Sequence, residues 1–284
     1  MRENLTSALI LEDDLDWDIR IRKSLQKVAL ASQKLTQPLR WGRSWSLSDM
    51  HAYDPDEESG MLHALNIHTA PSTVRPRISP YGDNWDILWL GHTGGDMPVD
   101  WQSARANLDR PPRSLLTLYI PGDDTVPSPR HLKRHPFADT IDRFGEVFPP
   151  HTRVVHEARA FGGAQAYAVS QRGARRLLLQ FGVETLTDMW DVCMRDFCEG
   201  VFDDGNGGRP VCVATNPPLM SQYWGGWGGS DLQNIGGGYF HKTGSIAMRY
   251  SIRLNMKRLL ARKGNGDSLE GLADQWPDDG DGPW

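Results

Sequence analysis

An α/β fold with a mostly parallel sheet is predicted for this 284-residue chain. Short aliphatic runs alternate along the sequence with segments of helical periodicity, which is typical of strands joined by helices. The runs at 9–11 and 85–92 end in carboxylates or in glycine and histidine, as buried strands of such sheets do. The length suits one large domain with appendages.

The first strand and the helix after it are the clearest elements. Residues 9–11 form a continuous aliphatic run, which indicates a short buried strand. Asp16 or Asp18 is placed to cap the next helix, and Pro38 ends it. One apolar stripe recurs at helical spacing in between: Ile21, Leu25, Val28, Ala31 and Leu35.

The remaining elements follow from similar patterns. Further strands are predicted at 115–120, 152–158, 165–170 and 210–215, and further helices at 171–181, 187–199 and 245–263. Ser170 is the expected N-cap and Gly182 the expected end of the first of these helices. Two stretches have little periodicity and are predicted to be insertions, at about 41–84 and 123–152. The acidic, glycine-rich stretch 264–284 is predicted to be a disordered tail.

Composition narrows the classes of partner. The net charge of −5 and the pI near 6.0 give no reason to expect nucleic-acid binding. No apolar run approaches the roughly 18 residues that a membrane span needs. Cys193, Cys198 and Cys212 allow at most one disulfide and fit no metal-binding spacing. The cellular compartment therefore stays open.

Carboxylates crowd the end of the first strand. Strand alternation sends Glu12 and Asp14 to one side and Asp13 to the other. Carboxylates that converge at a strand end can hold a hard divalent cation through oxygen. The alternative is that Asp14, Asp16 and Asp18 only place negative charge in the first turn of a helix. That alternative does not account for Glu12 and Asp13. The chain lacks the glycine and glutamate that a calcium-binding EF-hand loop would need further along.

Six stretches occur in an order that resembles glycosyltransferase family 25. They are ALILEDDLDWD, WDILWLGHTG, QAYAVSQRGARRLL, DMWDVCMRDF, NPPLMSQ followed by SDLQ, and SIRLNMKRLL, and they extend from residue 8 to residue 260. The similarity is greatest to the fungal branch of the family. It is more distant to bacterial lipopolysaccharide galactosyltransferases and animal procollagen galactosyltransferases. The order of all six stretches carries the resemblance, because no single one is decisive.

The resemblance implies a fold and an activity. It implies a GT-A-like nucleotide-sugar transferase fold over residues 1–263, N-terminally incomplete because the family's first strands and uridine pocket have no counterpart here. It implies transfer of a hexose, often galactose from UDP-galactose, to a glycan, glycoprotein or other hydroxylated acceptor. It also implies Mn²⁺ or another divalent cation, with Glu12, Asp13 and Asp14 as metal ligands and Asp14 foremost. Many relatives work in the secretory pathway, while a cytoplasmic location stays open for this chain.

Two aspartates are candidates for the catalytic base. Asp188 and Asp191 are three residues apart and are expected on one face of a helix capped by Thr187. The matching acidic motif of the family lies near the acceptor, and an inverting transferase needs a carboxylate to take the acceptor's proton. We expect Asp188 or Asp191 to do so, with a slight preference for Asp188. Alternatively, Asp191 only pairs with Arg195 on the next turn.

Four further residues are predicted to bind the nucleotide sugar. His92 ends a strand and lines the site, or it is a histidine hydrogen-bonded to a loop. Gln222, Ser230 and Asp231 flank a glycine- and tryptophan-rich loop that resembles a flexible segment near the donor diphosphate. A rival hypothesis of another class stays open: a non-catalytic, truncated relative that binds a glycan or a protein without transfer.

Overall fold

The computed structural model describes residues 4–41, 44–52, 63–98, 112–133, 141–142, 144–184, 186, 188–203, 208–224, 243–262 and 268–280. Ten strands are present there: β1 (Ser7–Leu11), β2 (Leu15–Trp17), β3 (His63–Asn66), β4 (Ile87–Gly91), β5 (Leu116–Ile120), β6 (Arg153–Glu157), β7 (Ala166–Ser170), β8 (Cys212–Asn216), β9 (Met220–Trp224) and β10 (Gly244–Ser245). The α-helices are α1 (Ile21–Thr36), α2 (Leu47–Met50), α3 (Phe144–Val147), α4 (Gln171–Leu177), α5 (Trp190–Cys198) and α6 (Ile252–Ala261). Within these residues, no helix has both the length and the apolar character to span a membrane.

The strands form one mixed sheet in the order β1-β7-β4-β8-β6-β5-β3, and β9 joins it beside the end of β4. The parallel pairings are β3 with β5, β4 with β8 and β4 with β9; the other described pairings are antiparallel. The mixed α/β class is confirmed. The expectation of a mostly parallel sheet is wrong. A continuous apolar run indicates that a strand is buried on both faces, but it does not indicate whether the neighbouring strand is parallel or antiparallel. The β6–β7 connection, residues 158–165, contains no helix and crosses one face of the sheet.

Strand β1 lies at the edge of the sheet, with β7 on one side only. Leu9, Ile10 and Leu11 are 49%, 36% and 44% exposed. The prediction of a buried first strand is therefore wrong, although the strand itself is present. Aliphatic runs are the usual sign of burial, but they do not report whether a neighbouring strand covers the second edge.

The sheet is covered on both faces. Leu88 of β4 belongs to the core on which α1 packs through Val28 and Leu35, which confirms the predicted apolar stripe. Trp89, the next residue of β4, points into a second core that includes α5 and the crossing segment 158–165. A disulfide between Cys198 and Cys212 links the end of α5 to β8.

The helix cap predicted at Ser170 is present, whereas the helix end predicted at Gly182 is not. Ser170 caps α4, because its hydroxyl accepts a hydrogen bond from the Gly173 amide at 3.0 Å. The helix end predicted at Gly182 is not observed. Instead, α4 ends at Leu177 and a π-helical segment follows over Leu178–Glu184. Side chains of Asp16 and Asp18 do not cap α1, whose N-cap is Arg20; the Asp18 backbone carbonyl accepts the Ile21 amide instead.

Residues 268–280 belong to the stretch predicted to be a disordered tail, but in the structure they pack against the rest of the domain. Trp276 is buried, and its indole donates to the Ser245 carbonyl at 3.0 Å. Arg249 forms ion pairs with Asp274 and Asp278. The acidic composition that suggested disorder thus supplies partners for a basic side chain 25 to 29 residues earlier. The predicted insertion 41–84 also contributes regular structure, namely α2 and β3.

Candidate functional site

The acidic segment after β1 divides into two groups with different surroundings. Asp16 is fully buried, and its carboxylate accepts hydrogen bonds from the amides of Trp17 and Arg253 and from the hydroxyls of Ser245 and Ser251. These bonds attach β10 and the start of α6 to β2. Both carboxylate oxygens are buried and each accepts two hydrogen bonds, which assigns Asp16 to structure.

Asp18 belongs to the same group. Its carboxylate accepts three hydrogen bonds from Arg20, from the amide and from two guanidinium nitrogens, and one from the Tyr250 amide at 2.9 Å. It is only 2% exposed. We call Asp16 and Asp18 the buried carboxylates. They join the beginning of the chain to α6 and have no free face for a ligand.

Glu12 and Asp14 have fewer partners. Gln222 of β9 donates to one oxygen of Asp14, Oδ2, at 2.7 Å, whereas the other oxygen, Oδ1, is buried without a hydrogen-bond partner among the described residues. Burial raises the pKa of Asp14, and the bond from Gln222 offsets part of that effect. Gln222, a predicted binding residue, therefore lies against a predicted metal ligand.

The pKa of Glu12 is also raised, first by burial and then by repulsion from Asp14, Asp191 and Asp13, in that order. The strand alternation predicted for Glu12, Asp13 and Asp14 does not apply, because β1 ends at Leu11 and residues 13 and 14 form a turn. The repulsion from Asp191 acts between two residues, 12 and 191, that are 179 positions apart in the sequence. Asp13 is exposed at the same turn.

Asp191 lies in the first turn of α5, with its Oδ2 accepting a hydrogen bond from the Gly163 amide at 2.9 Å. Gly163 adopts φ = 76°, a conformation that a side chain would strain, and this turn points its amide at the carboxylate. We call Glu12, Asp14 and Asp191 the open carboxylates. Glu12 and Asp14 follow the end of β1, Asp191 is held by the segment that leads into β7, and the charges of Asp14 and Asp191 both act on Glu12.

Asp188 is placed differently. It precedes α5, is exposed, and accepts a hydrogen bond from the neighbouring Met189 amide at 2.7 Å. The expectation that Asp188 and Asp191 share a helical face is wrong, because α5 begins only at Trp190 with Met189 as its N-cap. Thr187, the predicted cap, lies outside the described residues. The alternative pairing of Asp191 with Arg195 is also not formed, since Arg195 binds Asp196 at 3.2 Å.

His92 is buried, and its Nε2 lies 2.7 Å from the Thr215 carbonyl oxygen. Its ring meets Phe161 edge-on at 4.4 Å. Burial lowers the pKa of His92 to about 3, so the ring is neutral at ordinary pH. His92 is therefore a buried histidine hydrogen-bonded to strand β8, and not to a loop as the alternative had it. Ser230 and Asp231 lie outside the described residues.

Sequence reasoning missed Arg253, which lies within the helix predicted at 245–263. Its guanidinium donates to the carbonyl oxygens of Leu15, at 2.8 Å, and of Asp13. It also lies over the ring of Tyr223, 5.5 Å from the centroid. Its positive charge partly opposes the raised pKa of Asp14. No local signal could have revealed this contact, because Arg253 and Asp13 are 240 residues apart.

The open carboxylates fit a hard divalent cation in their chemistry. The fit rests on the unpartnered Oδ1 of Asp14 and on the mutual repulsion at Glu12, both of which a cation would relieve. The described residues contain no group of three or more histidine, cysteine, aspartate or glutamate side chains placed to hold a metal ion by themselves. Two carboxylates with substrate phosphates and water are a common arrangement for such ions.

Comparison with known proteins found no matching family model, no matching curated protein and no matching solved structure. The resemblance to glycosyltransferase family 25 therefore stays a prediction.

Proposed function

We propose that this chain is a metal-dependent, inverting hexosyltransferase of GT-A-like fold that moves a hexose, galactose foremost, from a UDP-sugar to a glycan or hydroxylated acceptor. The single observation that carries the proposal is that Glu12, at the end of β1, experiences the charges of both Asp14 and Asp191, while Asp191 is fixed by the Gly163 amide. The ordered family-25-like stretches support it independently, since Glu12, Asp14 and Asp191 all fall within them.

In this proposal Glu12 and Asp14 hold the divalent cation, with Asp13 at the rim. When bound, the cation supplies positive charge that stabilises the departing diphosphate. Gln222 binds one oxygen of Asp14, and the other oxygen, which is buried, has no hydrogen-bond partner among the described residues and would be the one to face the cation. Arg253 binds the backbone of the same turn, so it holds the carboxylates in place and adds positive charge nearby.

Asp191 is the proposed base, ahead of Asp188. The Gly163 amide binds Oδ2 of Asp191, which orients the carboxylate and leaves Oδ1 to accept the proton of an acceptor hydroxyl. The acceptor oxygen then attacks the anomeric carbon as the bond to the diphosphate breaks, and the configuration at that carbon inverts. Asp188 remains the second candidate, because its exposed position can reach an acceptor bound further from β1.

Thermal stabilisation by UDP and Mn²⁺ tests the proposal. We expect the two together to raise the melting temperature of the wild-type protein and to leave that of Asp14→Ala unchanged. Asp124→Ala, which removes an exposed carboxylate elsewhere, is the matched control and should respond like the wild type. A wild-type protein that neither binds UDP with Mn²⁺ nor transfers from any UDP-hexose in a panel would refute the transferase and leave the binding-module alternative.

A further inference from the structure

Trp190 opens α5 directly before Asp191, and its indole is 36% exposed. Behind the exposed part, the ring is fixed by three contacts. Its Nε1 donates to the Tyr167 hydroxyl at 3.0 Å, its ring lies 6.3 Å from that of Tyr167, and Phe181 meets it edge-on at 5.8 Å. A large apolar ring is thus held rigidly while part of it faces solvent.

The surroundings of this indole are acidic on the side of the open carboxylates. Tyr167 pairs with Ile10 across β1 and β7, two residues before Glu12. Burial raises the pKa of the Tyr167 hydroxyl, and the Glu12 carboxylate adds to that effect, so Glu12 lies near the ring that supports Trp190. Asp191 follows Trp190 in the chain. The exposed indole is thus the chain neighbour of Asp191, and the charge of Glu12 reaches the tyrosine that holds it.

An unsatisfied acceptor lies in the same region. The backbone carbonyl of Gln165 accepts a hydrogen bond from the Glu12 amide, while its buried side-chain oxygen has no hydrogen-bond partner in the described parts of the structure. Gln165 is 5% exposed and follows Gly163, the donor to Asp191, by two residues. Aromatic surface beside several hydrogen-bond acceptors suits a ligand with an apolar C–H face and many hydroxyl donors.

We infer that Trp190 forms the stacking surface for a pyranose ring of the glycan acceptor, with Asp191 beside the hydroxyl that reacts. The role of the bound glycan as acceptor rests on the proposed function, whereas glycan binding by Trp190 does not require transfer. The acceptor is favoured over the donor sugar because Trp190 adjoins the proposed base, whereas the donor's diphosphate belongs at Glu12 and Asp14. Tyr167 is a positioning residue here, since it acts by holding the indole.

Binding of neutral glycans to tryptophan variants tests the inference. The probes are di- and trisaccharides that contain galactose, glucose or mannose, measured by saturation-transfer NMR and calorimetry. We expect Trp190→Ala to weaken binding of at least one glycan roughly tenfold, the scale of one lost stacking contact. Trp190→Phe keeps a ring and should stay within about threefold of the wild type. Trp45→Ala, which removes another exposed indole, is the matched control and should bind like the wild type.

The outcomes separate this inference from the proposed function. A wild-type protein that binds no glycan in the panel, or a folded Trp190→Ala that binds glycans unchanged, overturns the inference. Loss of UDP-hexose binding without loss of glycan binding in Trp190→Ala also overturns it, since the ring would then serve the donor. Glycan binding through Trp190 without any response to UDP and Mn²⁺ refutes the transferase and keeps the inference. If Trp190→Ala fails to fold, Trp190→Leu replaces it: a tenfold loss supports the inference and unchanged binding overturns it.

Discussion

Asp14 and Asp16 are two residues apart and have opposite surroundings. Each carboxylate oxygen of Asp16 accepts two hydrogen bonds, whereas within the described part of the chain one oxygen of Asp14 is bound by Gln222 and the other is buried without a partner. Glu12 and Asp191 resemble Asp14 in facing carboxylates, and Asp18 resembles Asp16 in facing donors. The difference teaches that one acidic run can contain carboxylates with a structural role and carboxylates that face a ligand. Their hydrogen-bond partners distinguish the two kinds.

The largest effect is expected at the proposed base. In a transfer assay from UDP-hexose, Asp191→Asn should lower kcat by roughly 10²–10⁴-fold, the usual contribution of a general base. UDP binding with Mn²⁺ should persist, because the substitution preserves shape. Asp188→Asn is the matched control and should keep most of its turnover. The reverse order of the two variants would move the base to Asp188 and separate Asp191 from the open carboxylates.

A large loss of stability is expected for the buried carboxylates. Asp16→Ala leaves two hydroxyls and two amides without their acceptor, which should lower the free energy of unfolding by about 3 kcal/mol. Urea unfolding at pH 7 measures this change. A loss below about 1 kcal/mol would mean that Asp16 is not the structural anchor described above.

The open carboxylates should show the opposite behaviour. Glu12→Gln and Asp14→Ala are expected to change the free energy of unfolding by only about 0.5 kcal/mol, since each relieves repulsion and breaks few contacts. Both should abolish stabilisation by Mn²⁺ with UDP, measured as the shift in melting temperature. A variant that is strongly destabilised, yet still responds to Mn²⁺, would reverse the assignment of the two groups.

The smallest expected effect is the release of protons when the cation binds. The pKa of Glu12 lies above its usual 4.5 in the folded state, so the folded protein holds that proton more readily than the unfolded chain. The stability that this group contributes is full below the unfolded pKa and is lost as pH rises through the folded one. Bound cation favours the ionised carboxylates, so Mn²⁺ binding should release protons at a pH just above 4.5, and this release should decrease as the pH is raised further.

Calorimetry in two buffers of different ionisation enthalpy measures this release. Glu12→Gln should reduce it, and Asp124→Ala should not. Equal release by the wild type and Glu12→Gln would remove Glu12 from the cation site.

The sequence predicts local structure here better than long-range arrangement. The strands at the present β4, β5 and β7, and the cap at Ser170, follow from apolar runs and side-chain chemistry within a few residues. The direction of the strands and the exposed edge at β1 depend on neighbours that periodicity does not encode.

The same limit applies to the site. The carboxylates of 12–14 could be predicted as a group from their position after a strand. The roles of Asp16 and Arg253 could not, because their partners lie 229 to 240 residues away. The predicted disorder of 268–280 fails for a similar reason, since Arg249 and Ser245 provide partners that composition does not reveal.

Paramagnetic broadening by Mn²⁺ tests the central claim most directly. In amide NMR spectra recorded during a titration with Mn²⁺ and UDP, the account predicts that the signals of Glu12, Asp14 and Asp191 broaden first, at substoichiometric metal. Signals of β3, at the opposite edge of the sheet, should persist. Broadening that begins elsewhere, or that affects all exposed acidic residues equally, would contradict a cation site formed by the open carboxylates.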